Sequence, residues 1–301
     1  MRFLLRTMIV FVTFFPTQPV SAALNIFACE PEWGALAKEL GGDKVSVYTA
    51  VGPLQNPHHI EARPSLIARA RSADLVVCTG AELEVGWLPL VRRQSGNAKI
   101  QSGQAGDFEA ARHIVPLEMP KQLDRAQGDV HAAGNPHVHL DPRNIAKVAA
   151  ALAQRMAQID SAEADTYRTR SQAFLDRWRQ AIARWEKQAA PLKGMPVVVH
   201  HRDMSYLIHW LGMREVGALE PKPGLPPTTA HLSELLGRLT KDPATMIIRS
   251  AYTDPRAGAW LAERSMVPSV LLPFTVGGTD KAQDLFGLFD DTLARLLANV
   301  K

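Results

Sequence analysis

The sequence predicts an α/β protein with two lobes, each built on a mainly parallel sheet flanked by helices. Short apolar runs alternate with helical segments along the chain, a pattern typical of parallel βαβ units. About 280 residues follow the N-terminal leader, which is more than one hydrophobic core usually holds. Residues 161–190 contain neither glycine nor proline, and we expect them to form one long helix that passes between the lobes.

Residues 1–22 are predicted to be a cleaved signal peptide. Two arginines precede the apolar stretch Met8–Phe15, and Val20 and Ala22 supply the small residues of a cleavage site. The apolar stretch is shorter than the roughly 20 residues that span a bilayer, so a membrane anchor is the weaker alternative. We therefore expect a soluble periplasmic protein that is not membrane-embedded.

The first lobe is predicted to cover residues 23–160. Its apolar runs indicate strands at 24–29, 44–51 and 74–80, with helices at 33–40 and 63–72. The second of these helices begins at a proline, which is favoured in the first helical turn. A further alanine-rich helix, 145–159, follows Pro142 and closes the lobe.

The long helix 161–190 is predicted to link this lobe to a second one at residues 191–301. Its apolar residues recur on one face, which predicts that this face is buried; they are Tyr167, Phe174, Trp178, Ile182 and Trp185. In the second lobe, strands are predicted at 196–201, 245–250 and 269–274, with helices between them. An amphipathic helix at 286–300 ends the chain.

The charge of the chain gives no indication of a nucleic-acid partner. The formal net charge is +4, and removal of two leader arginines would leave +2. Basic residues between 163 and 186 are interleaved with acidic ones, as on a solvated helix face.

Two cysteines, Cys29 and Cys78, each lie at the end of a strand-like run. Because disulfides persist in oxidising compartments, we expect a bridge between them in an exported protein. Two buried free thiols are the alternative.

Histidines cluster at three places where a strand or loop meets the start of a helix. They occur in the segments 56–59 and 135–139 and in the pair 200–201. Ligands of open α/β sheets bind at such strand ends, and three imidazoles suit zinc, with a carboxylate or water as fourth ligand. A single loop histidine is usually only a surface residue, so spacing alone leaves the metal site and the surface interpretation both open.

The chain resembles the cluster A-I family of solute-binding receptors for zinc and manganese ABC importers over nearly its whole mature length. NPHHIEARPSLIARARSADLVVCTGAELEVGWLP is similar to the family segment in which a Pro-His pair precedes a Pro-initiated helix, and it matches His58 to the first metal ligand. GNPHVHLDP resembles the Pro-His-x-Trp-Leu-Asp-Pro signature, which makes His137 the second ligand. His139 stands where tryptophan is usual.

The third ligand that the resemblance implies is His201. VVVHHRDMSYL is similar to the family strand that ends in histidine, and His201 lies five residues before Tyr206. His201 is therefore preferred to His200. The roles of His59, His139 and His200 stay open.

The family resemblance implies two α/β lobes joined by one long rigid helix, with the metal in the cleft between them. It also implies a monomer that captures a metal ion and delivers it to the membrane permease of an ABC importer.

The sequence departs from the family pattern at two points. Relatives often supply a fourth, carboxylate ligand near the C-terminus, where this chain has Leu271-Leu272-Pro273-Phe274. Glu220, Asp254, Asp280 or a water molecule are the substitutes by position. Zinc-uptake relatives often carry a His-rich loop before the second ligand, whereas residues 113–134 hold only two histidines, so we expect no metal-gathering role there.

Three histidines with at most one carboxylate favour zinc, with manganese second and copper or nickel third, because manganese prefers oxygen ligands.

A zinc-dependent hydrolase is the rival class, since three histidines and an open position also form a catalytic site. However, the sequence contains neither a His-Glu-x-x-His motif nor a Gly-x-Ser-x-Gly motif. We therefore expect no enzyme. A surface adhesin is a further alternative, which the absence of a lipid-anchoring cysteine motif disfavours.

Overall fold

The computed structural model describes residues 23–120, 128 and 131–300. The predicted signal peptide, residues 1–22, lies outside this part of the chain. The first sheet contains four parallel strands in the order β2-β1-β3-β4. We call this sheet and its helices the N-lobe; its elements are β1 (Leu24–Ala28), α1 (Pro31–Gly41), β2 (Val45–Thr49), α2 (Pro64–Arg71), β3 (Leu75–Cys78), α3 (Leu88–Ser95) and β4 (Asp107–Glu109).

Two helices connect the N-lobe to a second sheet of the same order, β6-β5-β7-β8, again with parallel strands. The connecting helices are α4 (Pro142–Ile159) and the 25-residue α5 (Ala164–Gln188). We call the second sheet and its helices the C-lobe. Its elements are β5 (Pro196–Val199), α6 (Ser205–Leu211), β6 (Arg214–Ala218), α7 (Thr229–Leu239), β7 (Met246–Ser250), α8 (Arg256–Ser265), β8 (Ser269–Leu272) and α9 (Leu285–Leu297).

The six strands predicted from apolar runs are all present, with ends within two residues of the prediction. The sequence did not predict β4 and β6, which lie at sheet edges. Neither is an apolar run, since β4 reads DFE and β6 reads REVGA. An edge strand needs fewer apolar side chains than a central one, so its periodic signal is weak.

Local sequence explains where the helices start. Asp141 caps α4 by accepting a hydrogen bond from the backbone N–H of Arg143, and Pro142 occupies the first turn, where a missing N–H costs nothing. Pro31 and Pro64 likewise occupy the first turns of α1 and α2. Helix α1 ends at Gly42, whose φ of +58° suits glycine.

Helix α5 belongs to a core that both lobes share. The side chains of Tyr167, Phe174, Trp178 and Trp185 are completely buried, as the apolar stripe predicted. The indole of Trp178 donates to the carbonyl of Pro142 and packs against Phe289 of α9 at a centroid distance of 5.6 Å. One apolar cluster runs from β1 and α1 through α4 and α5 to β5, β7 and α9. One face of the long helix therefore packs into the core that both lobes share, and its opposite face is exposed.

A disulfide links Cys29 and Cys78 across the ends of neighbouring strands β1 and β3, and both residues are completely buried. The predicted bridge is present, and the alternative of two free thiols is wrong. Among the described residues, we find no helix that combines the length and the apolar character required to cross a membrane.

Candidate metal centre

His58 lies on the loop between β2 and α2, and two contacts fix this loop. The side-chain oxygen of Asn56 accepts from the backbone N–H of His58 at 3.0 Å, which forms an Asx turn. The buried indole of Trp87 donates to the carbonyl of Pro57 at 3.1 Å. These bonds hold the backbone directly before and at His58.

His137 lies on the segment that leads into α4, and only 1% of it is exposed. Its Nδ1 lies 2.9 Å from the side-chain oxygen of Asn135. Because an amide oxygen only accepts, Nδ1 carries the proton and Nε2 keeps its lone pair. The hydrogen bond thus prepares Nε2 for metal binding.

His201 lies two residues after the end of β5, and a carboxylate prepares it in the same way. Its Nδ1 lies 2.6 Å from Oε2 of Glu220, which follows β6. Oε2 also accepts from the backbone N–H of Gly224. Nδ1 therefore donates, and Nε2 is the nitrogen through which His201 can bind a metal.

The three imidazoles converge between the lobes. One nitrogen from each of His58, His137 and His201 lies within 4.8 Å of the other two. The Nε2 atoms of His58 and His137 are 3.4 Å apart. Two nitrogens bound tetrahedrally to zinc at about 2.0–2.1 Å are separated by about 3.3 Å, so this pair already has the spacing of a zinc site.

The electrostatics of the cluster keep the imidazoles of His58 and His137 neutral. Burial, with a smaller contribution from the neighbouring histidines 131, 201 and 59, lowers the pKa of His58 to about 3. Burial also holds the pKa of His137 well below its usual value, and its histidine neighbours add to the effect. Neutral imidazole is the form that binds metals, so the cluster offers lone pairs at neutral pH.

A small cavity of about 140 Å³ lies beside His137 and His201. His131 and Glu118 also line it. A water molecule occupies roughly 30 Å³, so the cavity has room for a water ligand in the fourth position of a metal.

The carboxylates that the sequence suggested as fourth ligands lie outside this three-histidine group. Glu220 is behind His201, on its Nδ1 side. Asp254 is exposed and pairs with Arg256 through both carboxylate oxygens, and Asp280 is exposed. In the stretch 271–274, where the family resemblance implied a carboxylate, the ring of Phe274 packs edge-on against His137 at 5.6 Å.

Three other histidines near the cluster have different surroundings. His59 is exposed. His200 is buried and lines a separate C-lobe cavity with Glu220. His139 is completely buried between the lobes: its Nε2 lies 2.9 Å from the carbonyl oxygen of Phe274, and its Nδ1 is at ion-pair distance from Glu32, 3.1 Å, without hydrogen-bond alignment.

Sequence reasoning missed two neighbours of the sites. The ring of His131 stacks on that of His58 at 5.2 Å, a contact that the sequence did not suggest. A carboxylate oxygen of Glu84 lies within 4.8 Å of both cysteine sulfurs, on a loop that the sequence assigns no function. Neither contact leaves a periodic or motif signal, because each depends on a loop conformation.

Two parallel sheets, a long connecting helix and a histidine cluster between the lobes define the class of two-lobed solute-binding proteins. The chain belongs to the ZnuA family, zinc-uptake complex component A periplasmic, whose family model matches residues 26–299. The resemblance seen in the sequence is confirmed.

Individual relatives are distant. The metal ABC transporter substrate-binding lipoprotein ScbA of Streptococcus cristatus is 26% identical over 54% of this chain and 50% of its own length. The zinc-binding lipoprotein AdcA of Streptococcus pneumoniae R6 is 22% identical over 68% of this chain and 40% of its own. The chain thus spans about half the length of the curated relatives it matches. The fold matches a crystal structure of ZnuA with a TM-score of 0.76 at 22% identity, covering 92% of this chain and 99% of that one.

Family membership decides the question of enzymatic activity. The ZnuA family consists of solute-binding proteins and not of enzymes, which removes the zinc hydrolase. Its members are periplasmic proteins or exported lipoproteins that bind metal and work with the permease of an ABC importer.

Proposed function

We propose that this chain captures a zinc ion in the periplasm and delivers it to the permease of an ABC importer. The zinc ligands are Nε2 of His58, His137 and His201, and a water molecule from the adjoining cavity completes the tetrahedron. The observation that carries the proposal is the convergence of three imidazoles, two of which have a nitrogen–nitrogen spacing that suits zinc.

The chemistry of the cluster favours zinc over manganese. Manganese prefers oxygen ligands, and no carboxylate belongs to the three-histidine group among the described residues. Glu220 supports His201 from behind and is not available as a ligand on the cluster side. A manganese receptor of the same family is the second candidate, and copper or nickel the third.

A competitive zinc titration of chelator-stripped protein tests the proposal. We expect one tight site per chain, weakened at least about tenfold by each of His58→Ala, His137→Ala and His201→Ala, since each substitution removes a ligand. His200→Ala is the matched control, because His200 is adjacent to His201 and buried but lies outside the group. A wild type without a tight site, or ligand variants that bind like the control, would refute it. A parallel manganese titration that gives the tighter site would favour the second candidate.

We further propose that residues 1–22 are removed on export and that the mature monomer divides into lobes 23–160 and 191–301 around the linking helix 161–190. The small residues at 20 and 22 support cleavage after Ala22. The intact mass of the protein recovered from the periplasm measures the cleavage directly. A mass that includes the leader would contradict it.

A further inference from the structure

The carboxamide of Asn135 is buried and makes four hydrogen bonds. Its oxygen accepts from both the backbone N–H and Nδ1 of His137, at 3.0 and 2.9 Å. Its nitrogen donates to a carboxylate oxygen of Glu118 at 2.9 Å and to the backbone carbonyl of Arg202 at 2.8 Å. Only 7% of Asn135 is exposed, so water does not replace these partners.

The chemistry of these partners fixes the orientation of the amide. A backbone N–H needs an acceptor, whereas a carboxylate and a carbonyl oxygen need a donor. The amide oxygen must therefore face His137 and the amide nitrogen must face Glu118 and Arg202. With that orientation, only one neutral tautomer of His137 is compatible with the structure, and its lone pair is on Nε2.

The donor side of the same amide reaches the other half of the metal site. Arg202 belongs to the C-lobe and is the next residue after His201. The hydroxyl of Tyr206, four residues further on, donates to the backbone carbonyl of Asn135 and accepts from the backbone N–H of Leu117. The segment that carries His137 is thus fastened to the segment that carries His201.

The backbone around Glu118 is adapted to this contact. Glu118 has a φ of +54°, which is unfavourable for a residue with a side chain. Its carboxylate bridges the amide nitrogen of Asn135 and the hydroxyl of Ser205, at 2.9 and 2.8 Å. The unfavourable backbone conformation of Glu118 allows its carboxylate to make both bonds. The position of the Asn135 amide nitrogen is therefore fixed by a contact for which the backbone has adapted.

We propose that Asn135 is a positioning residue that couples the orientation of His137 to the attachment of the C-lobe segment after His201. Its oxygen selects the metal-binding tautomer of His137, and its nitrogen keeps the two ligand-bearing segments together while the metal is bound. The inference rests on the proposed function and assigns this one amide two separable effects, on ligand geometry and on the rate of metal release.

The substitutions Asn135→Ala and Asn135→Asp separate the two effects. Alanine removes both sides of the amide. Aspartate keeps an acceptor for Nδ1 of His137 but loses the donor to the carbonyl of Arg202 and puts a second negative charge beside Glu118. Tyr206→Phe is the matched control, because it removes another bond between the same segments without touching the side chain of Asn135.

The experiment measures zinc affinity, the rate of zinc release to a chelator, and the visible absorption of the cobalt(II)-substituted protein, which reports ligand geometry. For Asn135→Ala we expect zinc affinity to fall by about 10- to 100-fold with an altered cobalt spectrum. For Asn135→Asp we expect a wild-type spectrum and release at least about tenfold faster. Tyr206→Phe keeps the wild-type spectrum.

Three outcomes would overturn the inference: an Asn135→Ala protein with unchanged affinity and spectrum, an Asn135→Asp protein with wild-type release, or a Tyr206→Phe protein with the spectrum of Asn135→Ala. If Asn135→Ala does not fold, the aspartate variant and the control decide. Failure of the proposed function has a different signature, since the wild type itself would then lack a tight zinc site.

Discussion

The two lobes have the same strand order, yet the crevices at the carboxyl ends of their central strands hold different chemistry. In the N-lobe, the crevice between β1 and β3 contains the Cys29–Cys78 disulfide. In the C-lobe, the corresponding crevice lies between β5 and β7, and the residues that follow β5 there are His200 and His201. A parallel sheet creates the crevice in both lobes, but only the residues that follow the strands determine its use.

The N-lobe crevice is closed by buried acidic groups as well as by the disulfide. A carboxylate oxygen of Glu30 accepts from the backbone N–H and hydroxyl of Thr79, and Glu84 accepts from the backbone N–H groups of Thr79 and Gly80. Burial raises the pKa of Glu30 well above its usual value, and the carboxylates of Glu84 and Glu32 raise it further. These buried bonds hold the residues after β3 against the start of α1.

The C-lobe crevice is polar in a different way, because its groups are arranged around His201. Asp203 is almost completely buried and accepts hydrogen bonds from the hydroxyls of Ser250 and Tyr252. Burial raises the pKa of its carboxyl group, and His201 counteracts that rise. The comparison therefore predicts that changes in the N-lobe crevice affect stability, and that changes in the C-lobe crevice affect metal binding.

Removal of the disulfide gives the largest expected stability effect. The bridge closes a loop with a sequence separation of 49 residues, so Cys29→Ser combined with Cys78→Ser should lower the free energy of unfolding by about 4 kcal/mol. Chemical denaturation of metal-free protein measures this loss.

Zinc affinity is the control for this variant. Because the disulfide is separated from the three-histidine group, the double serine variant should bind zinc as tightly as the wild type does. A large loss of affinity together with retained stability would reverse the proposed division of roles between the crevices.

The sequence predicted the repeated fold better than it predicted this difference. Alternating apolar runs are a local signal, and they located six strands and the buried face of α5. The cysteines could be paired because each ends a strand. The family motifs selected His58, His137 and His201 from the sequence, and the structure places these three residues close together.

The supporting groups were not predictable, because their contacts depend on loop conformation. Glu220 was considered as a metal ligand, whereas the structure places it behind His201. Glu84 reaches the disulfide through a loop in which Gly80, Ala81 and Glu82 all have positive φ, a conformation that no sequence period encodes. The edge strands β4 and β6 were missed because they lack apolar runs.

Acid should destabilise the metal-free protein through the histidine cluster, with a somewhat smaller effect than loss of the disulfide. The pKa of His58 is about 3 in the folded protein and about 6.5 when unfolded, so below pH 6.5 the unfolded state binds a proton that the folded state excludes. Stability falls as pH falls, by about 2 kcal/mol for one such group between pH 6.5 and 5. His137 contributes in the same direction.

Denaturation curves of chelator-treated protein between pH 7.5 and 5 test this dependence. His58→Gln should flatten the loss of stability with acid, because glutamine does not titrate. The exposed neighbour variant His59→Gln serves as the control and should keep the wild-type slope. Equal slopes for all three proteins would show that the cluster is not desolvated in solution.

The last expected effect has the opposite pH dependence and belongs to the N-lobe crevice. Burial raises the pKa of Glu84 to about 7, so the folded state binds the proton more tightly than the unfolded state, and stability is lost as pH rises from about 4.5 to 7. Glu84→Gln removes this loss while it retains an acceptor for the backbone N–H of Thr79. A shift of this size corresponds to about 3 kcal/mol, so we expect a gain of up to that amount at pH 8 and none at pH 4, measured by denaturation. The exposed control Glu61→Gln should show no such difference between the two pH values.

If Glu84→Gln instead loses stability equally at both pH values, the crevice needs an ionised carboxylate to accept its backbone N–H groups. Its acidic pair would then stabilise the N-lobe through hydrogen bonds that an amide does not replace.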